Sequence, residues 1–178
     1  LGFTGELGYE LLLSVEATPR LWAVLVQAGA PLGLRPAGGA ALMTARVEAG
    51  LIMGGLEYDE TSTPWECRMG WAVDLDKPDF QGKAALIASK VVAGRTIVSI
   101  AFPQGAEGLD GAELTVAGRD VGQVSMAVPS PVLQGRVLAL ARIERSLAVI
   151  GTELSAGGMV GEIIGMPVHD PERRRTRG

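Results

Sequence analysis

The sequence predicts an α+β fold, in which a segment of strand and helix precedes a small antiparallel barrel or sandwich. In the first half of the chain, apolar residues recur at helical spacing between proline and glycine signals. In the second half, short β-rich runs alternate with glycine, proline and Asp-Gly turns. Composition changes near residues 89–94, so we divide the chain into an α+β domain (1–89), a β domain (90–170) and a basic tail (171–178).

The opening stretch, residues 3–10, is predicted to be a glycine-punctuated turn that runs into a strand; it reads FTGELGYE. Alternation along residues 8–14 puts Glu10 on the same face as Leu12. A carboxylate there either lies at a solvated edge or lines a semi-apolar pocket, where it accepts hydrogen bonds from a flat ligand with adjacent N–H donors. Spacing alone favours the solvated edge.

Two helices are predicted to follow this strand. Thr18 is a typical N-cap before proline, and the apolar spacing that begins there ends at Gly29. The second helix is predicted over residues 37–49, with glycine as its stop signal. We interpret Arg46 and Glu48 as a structural ion pair at the end of this helix.

An irregular stretch over residues 52–64 is predicted next, because its sequence combines Gly-Gly with DETSTP. Residues 69–73 are predicted to form a short strand. Asp79 is predicted to cap a short helix through residues 84–87. Loops as long as the one over 52–64 often carry function.

The β domain is predicted to contain five short strands, at residues 97–102, 113–116, 121–124, 137–143 and 159–164. A hairpin tip is predicted at residues 118–120. Short strands with such turns are typical of a small antiparallel barrel or sandwich.

Charge and composition argue against several classes of protein. The net charge of −4 does not favour nucleic-acid binding, and we interpret the basic run at 173–177 as a solvated tail. The single cysteine, Cys67, excludes an internal disulfide, fits a reducing cytoplasm and is interpreted as buried and inert. One histidine and one cysteine argue against a zinc site. No apolar run approaches a membrane span. Because the chain opens with Leu1 inside a tight motif, we expect a part upstream of it.

Several separated motifs then occur in a fixed order that resembles the aminomethyltransferase family, the glycine cleavage system T-protein and its folate-dependent relatives. They are FTGELGYE at 3–10, RVEAGL at 46–51, TPWE at 63–66, GWAV at 70–73, DFQGKAAL at 79–86 and GQVS at 122–125. The resemblance implies the later part of a folate-binding α+β region followed by a small antiparallel β-barrel domain. It also implies that the catalytic aspartate lies upstream, so no catalytic residue is assigned in this chain.

The resemblance implies a tetrahydrofolate site. Glu10 would accept both the ring N–H and the exocyclic amino group of the pterin. Trp71 would pack on the pterin or aminobenzoyl ring, with core filling as the alternative. Phe3 stands where the family often has a tyrosine, so only apolar contact remains there. Leu42 replaces a folate-holding arginine, and we predict that Arg68, at a position where relatives tend to have a small residue, supplies the replacement charge.

A C-terminal arginine reaches the folate tail in relatives, and the sequence does not choose among Arg173, Arg174 and Arg175. His169 and Asp170 are interpreted as part of a terminal tail that is usually mobile. The leading functional interpretation is transfer of a one-carbon unit to tetrahydrofolate from a small methylated amine or a carrier-bound donor, with a lipoyl carrier protein as a candidate partner. Two alternatives stay open. One is the folate-handling module of a dimethylglycine or sarcosine oxidoreductase or another demethylase, and the other is a non-catalytic folate-binding protein.

Overall fold

A computed structural model describes residues 2–175, and it confirms both the α+β class and the antiparallel barrel. Thr176, Arg177 and Gly178, the end of the predicted basic tail, lie outside the described residues, as does Leu1. The helices are α1 (Thr18–Gly29), α2 (Gly39–Glu48) and α3 (Lys83–Val92). The strands are β1 (Arg95–Gln104), β2 (Glu113–Val116), β3 (Arg119–Pro129), β4 (Arg136–Glu144), β5 (Glu153–Ala156) and β6 (Met159–Ile164). Single-turn 3-10 helices lie at Ala30–Leu32, Gly70–Ala72 and Arg145–Leu147.

The strands close into an antiparallel barrel in the order β1-β4-β3-β2-β5-β6, with β6 paired back to β1. Ile100, at the middle of β1, lies opposite Ala139 in β4 and Ile163 in β6. All three side chains are buried in the apolar core inside the barrel. Closure leaves no unpaired sheet edge, which explains how such short strands form a stable unit.

The strand β5 was not predicted, and β3 extends well beyond the predicted residues 121–124. The four residues of β5 carry one large apolar side chain, Leu154, so alternation gives little signal there. A close approach brings β6 onto β1: a Cβ on Gly161 would lie 2.7 Å from side-chain atoms of Ile100 and Phe102. Glycine is therefore required where the barrel closes.

A second apolar cluster lies outside the barrel, where α2 packs against β3 and β4. It joins Val47 to Val128, Leu138 and Leu140. The predicted pair between Arg46 and Glu48 is wrong. Arg46 donates from Nη1 to Glu57 Oε2 at 2.7 Å, while Glu48 Oε1 accepts from the Ser130 hydroxyl at 2.5 Å and the Val132 amide at 3.0 Å.

The predicted strand over residues 8–14 does not form, because no described residue pairs with this part of the backbone. The predicted strand over 69–73 is instead the 3-10 turn Gly70–Ala72, where the Val73 amide donates to the Gly70 carbonyl at 3.2 Å. Both predicted helix caps are also wrong: Ala17 precedes α1, and Gly82, with a positive φ of 87°, precedes α3 in place of Asp79. The 3-10 turn is formed by a local backbone hydrogen bond, and the alternation of apolar residues does not reveal such bonds.

Candidate functional site

A cavity of about 490 Å³ lies where four separated stretches of the chain meet. Its lining residues come from the opening motif, the loop after α2, the turn before the 3-10 helix, and the C-terminal segment: Phe3, Gly50, Leu51, Ile52, Cys67, Arg68, Met69, Trp71, Met166 and Arg173. Three of the four site residues predicted from the sequence, Phe3, Arg68 and Trp71, are therefore brought together.

Gly50 shapes the floor of this cavity. It follows α2 in the left-handed conformation, with φ at 63°, and the next amide, that of Leu51, donates to the Arg46 carbonyl at 2.8 Å. A Cβ on Gly50 would lie 2.9 Å from Met166 Cγ. The predicted glycine stop signal thus ends the helix and also lets the C-terminal segment approach it.

Trp71 is 76% exposed and does not belong to the core of the described residues. The turn that carries it rests on Trp65, because a Cβ on Gly70 would lie 2.9 Å from the Trp65 ring. Trp65 is fixed in turn by its indole N–H, which donates to the Leu86 carbonyl in α3 at 2.9 Å. One tryptophan therefore supports the turn while the other presents its ring at the cavity.

Arg68 has a left-handed backbone, with φ at 58°, which is uncommon for a residue with a Cβ. Glycine, which has no Cβ, adopts this conformation without strain, whereas arginine does not. Its guanidinium Nη1 lies 3.5 Å from the Ile97 carbonyl oxygen, a long contact. Cys67 beside it is 7% exposed, which confirms the predicted burial, and that burial raises the pKa of its thiol.

Glu10 is the predicted site residue that does not line this cavity, and its side chain lies on the exposed stretch between residues 7 and 14. Leu42 is 40% exposed and lines a second cavity of about 480 Å³ with Thr4 and residues between 37 and 45. Phe3 and Thr4 thus border two different cavities.

The C-terminal segment, residues 166–175, contacts the opening motif through His169 and Arg175, and residues 171–175 are exposed. His169 Nε2 lies 2.6 Å from Glu6 Oε1, and Arg175 Nη1 donates to the same oxygen at 3.1 Å. Arg174 pairs with Glu172. Of the three arginines at 173–175, Arg173 lines the cavity. The sequence feature that corresponds to this contact is Glu6, the glutamate between the two glycines of FTGELGYE.

Within residues 2–175, no helix is long and apolar enough to cross a membrane, and no group of His, Cys, Asp and Glu side chains is arranged to hold a metal ion.

Comparison with known proteins places these features in a family. Residues 1–77 match the model of the GCVT N-terminal domain. Over 86% of its length the chain is 40% identical to an aminomethyltransferase of Saccharopolyspora erythraea, of which it covers 42%. Over 99% of its length it is 32% identical to the trimethylamine-oxide aldolase of Ruegeria pomeroyi, of which it covers 23%.

The fold also matches a solved structure, that of glycine cleavage system aminomethyltransferase T from Bartonella henselae, with a TM-score of 0.86 and 25% identity. That match covers 96% of this chain and 48% of the other. The chain spans less than half the length of each of these relatives. By sequence and by fold, the chain belongs to the aminomethyltransferase family.

Proposed function

We propose that this chain carries part of the tetrahydrofolate site of a one-carbon transferase, and that the cavity lined by Phe3, Arg68 and Trp71 holds the folate. The observation that carries this proposal is the convergence of these three residues, which lie up to 68 positions apart in sequence, on one cavity. Trp71 in particular is 76% exposed on a supported turn, as a stacking surface would be.

The residues present fit such a ligand. A volume of about 490 Å³ is in the range of small-molecule sites. Phe3, Trp71 and Met69 offer apolar faces to flat rings, and Arg68 and Arg173 offer positive charge to the carboxylates of a folate tail. When bound, tetrahydrofolate would supply the nitrogen that accepts the one-carbon unit. This chain would bind and orient the folate and keep water from one side of it.

The donor is proposed to be an aminomethyl group on a lipoyl carrier protein or a small methylated amine, and the reaction is proposed to run in the cytoplasm. No residue of this chain is proposed as the catalytic base. That role would fall to an aspartate outside these 178 residues.

A second candidate function is demethylation of a methylated amine in a larger enzyme. It is favoured by the similarity to the trimethylamine-oxide aldolase, which extends over 99% of this chain. The two candidates differ in their donors. Assay of the full-length gene product with an aminomethylated carrier, sarcosine, dimethylglycine and trimethylamine oxide would separate them. A non-catalytic folate-binding protein would bind folate and turn over none of these donors.

The proposal is tested by titrating tetrahydrofolate into the full-length protein and following tryptophan fluorescence. We expect saturable quenching that is reduced in Trp71→Phe and retained in Trp22→Phe, because Trp22 is exposed on α1 and does not line the cavity. Absence of saturable binding by any folate species would refute the proposed function.

Arg68 gives a second prediction, in which affinity and stability move in opposite directions. Arg68→Gly is expected to weaken tetrahydrofolate binding about 10-fold, the effect of one charge-assisted hydrogen bond. The same change removes the left-handed strain at φ 58°, so the free energy of unfolding should rise by up to about 1 kcal/mol. Arg68→Ala should lose the affinity and keep the strain, and Arg68→Lys should keep most of the affinity. Unchanged tetrahydrofolate affinity in Arg68→Ala would contradict the assigned role.

A further inference from the structure

We propose that Glu6 is a positioning residue, which holds the C-terminal segment 166–175 against the cavity so that Arg173 faces the carboxylate tail of the ligand. This inference rests on the proposed tetrahydrofolate site. It assigns a role to the first glutamate of the opening motif and to His169 and Arg175, which line up on one oxygen of that glutamate.

Glu6 anchors the C-terminal segment through a single carboxylate oxygen. Glu6 Oε1 lies 2.6 Å from His169 Nε2 and accepts from Arg175 Nη1 at 3.1 Å, so one carboxylate oxygen ties down both sides of the stretch that contains Arg173. The hydrogen bond with His169 lowers the pKa of Glu6, and the charge of Arg175 lowers it further. The carboxylate is therefore ionised at neutral pH, as a charged anchor must be.

The backbone at Val168 and His169 is held independently of Glu6. The amides of Val168 and His169 donate to the Glu48 carbonyl at 3.0 and 2.9 Å, which satisfies one of the carbonyl groups at the end of α2. Gly5, next to the anchor, packs so closely that a Cβ there would lie 2.5 Å from the Ala49 Cβ. The opening motif and the C-terminal segment thus share one support, the end of α2.

The backbone after His169 is strained. Asp170 and Arg173 both have left-handed φ values, 47° and 52°, although neither is glycine. The turn between them is closed by the Arg173 amide, which donates to the Asp170 carbonyl at 2.8 Å, and by the Arg175 amide, which donates to Asp170 Oδ2 at 2.8 Å. Conformations of this kind persist only where surrounding contacts hold them, and the hydrogen bonds of His169 and Arg175 with Glu6 are such contacts.

Different residues of the site would therefore bind different parts of the ligand. Phe3 and Trp71 would bind the rings without help from Glu6, whereas Arg173 reaches the cavity wall from between the two partners of Glu6. Loss of Glu6 should therefore affect the part of the ligand that carries the charge and leave the ring system unaffected.

The test compares two ligands that differ only in that part: tetrahydrofolate and tetrahydropteroate, which lacks the glutamate. In the full-length protein we expect Glu6→Ala and His169→Ala to weaken tetrahydrofolate binding about 10-fold and to leave tetrahydropteroate binding unchanged. Glu6→Gln, which still accepts hydrogen bonds, should recover part of the loss. In an Arg173→Ala background, Glu6→Ala should have no further effect.

The matched control is Glu172→Ala, which removes a carboxylate that pairs with Arg174 on the same segment, and it should bind both ligands normally. Equal loss for both ligands, or an additive loss in the Arg173→Ala background, would overturn the positioning role. Amide hydrogen exchange tests the anchoring role of Glu6 in the absence of ligand. In Glu6→Ala the amides of Arg173 and Arg175 should exchange faster while those of Val168 and His169 stay protected, and unchanged exchange overturns the proposal. A wild-type protein that binds no folate but shows this exchange pattern would refute the proposed function and not the anchor.

Discussion

Glu57→Gln is expected to lower the free energy of unfolding by about 3–5 kcal/mol, the typical cost of leaving one charge of a buried pair without its partner. Arg46 is fully buried and Glu57 is 1% exposed, and their contact distance is 2.7 Å. The amide of glutamine would keep the shape of the side chain but would leave the Arg46 guanidinium as an uncompensated buried charge. Urea unfolding of the wild type and the variant measures the difference.

The same carboxylate organises the loop after α2, because Glu57 Oε2 also accepts from the Met53 amide at 2.8 Å. Two polar atoms of the pair, Arg46 Nε and Glu57 Oε1, have no hydrogen-bond partner among the described residues. A pair that is hydrogen-bonded only in part repays little of its desolvation cost. The double variant Arg46→Met with Glu57→Leu should therefore be more stable than Glu57→Gln alone. A double variant less stable than the single one would contradict this account.

This pair shows why part of the fold could not be read from the sequence. We predicted that Arg46 pairs with Glu48, but residues two apart on a helix point in different directions. The actual partner of Arg46 lies in a loop 11 residues away, and the partners of Glu48 lie more than 80 residues away in the connection between β3 and β4. Helix geometry excludes the short-range pair, whereas the course of the loop that supplies Glu57 depends on the folded barrel.

The barrel was predictable because its strands are short β-rich runs and its turns are marked by glycine, as at the β2–β3 hairpin, where Ala117 and Gly118 both have positive φ. The predicted strand over residues 8–14 failed for the opposite reason. Its alternation is genuine, but a strand forms only where another strand supplies hydrogen bonds, and no described residue does so. The 3-10 turn at Gly70–Ala72 was missed because three residues carry no usable periodicity.

The candidate site, like the fold, was predictable from the sequence only in part. Phe3, Arg68 and Trp71 were found because motifs that resemble a family carry them, and the cavity they share was not visible in the sequence. The docking of His169 on Glu6 joins residues 163 positions apart, and a terminal histidine gives no local signal of such a contact. The sequence motifs thus predicted Phe3, Arg68 and Trp71 as site residues, while the position of Arg173 at the same cavity required the structure.

Glu10 carries the largest expected effect on ligand binding. Glu10 lies outside the cavity that Phe3, Arg68 and Trp71 line, so this prediction requires the pterin to extend from that cavity to Glu10. If Glu10 then accepts both N–H groups of the pterin, Glu10→Ala removes two charge-assisted hydrogen bonds, and tetrahydrofolate affinity should fall about 100-fold or more. Tetrahydropteroate should lose affinity to the same degree, since it keeps the pterin. That equal loss distinguishes Glu10 from Glu6, whose replacement should spare the ligand without a glutamate tail.

Glu10→Gln tests this hydrogen-bonding role more specifically than Glu10→Ala does. A glutamine presents one acceptor and one N–H₂ donor, and the donor would face one of the two pterin donors, so affinity should be no better than in Glu10→Ala. Glu16→Ala is the matched control, because it removes an exposed carboxylate from the same stretch of chain. If Glu10→Gln bound tetrahydrofolate as the wild type does, Glu10 would be the solvated edge residue that alternation alone favours. Its exposed position outside the cavity would then need no ligand to explain it.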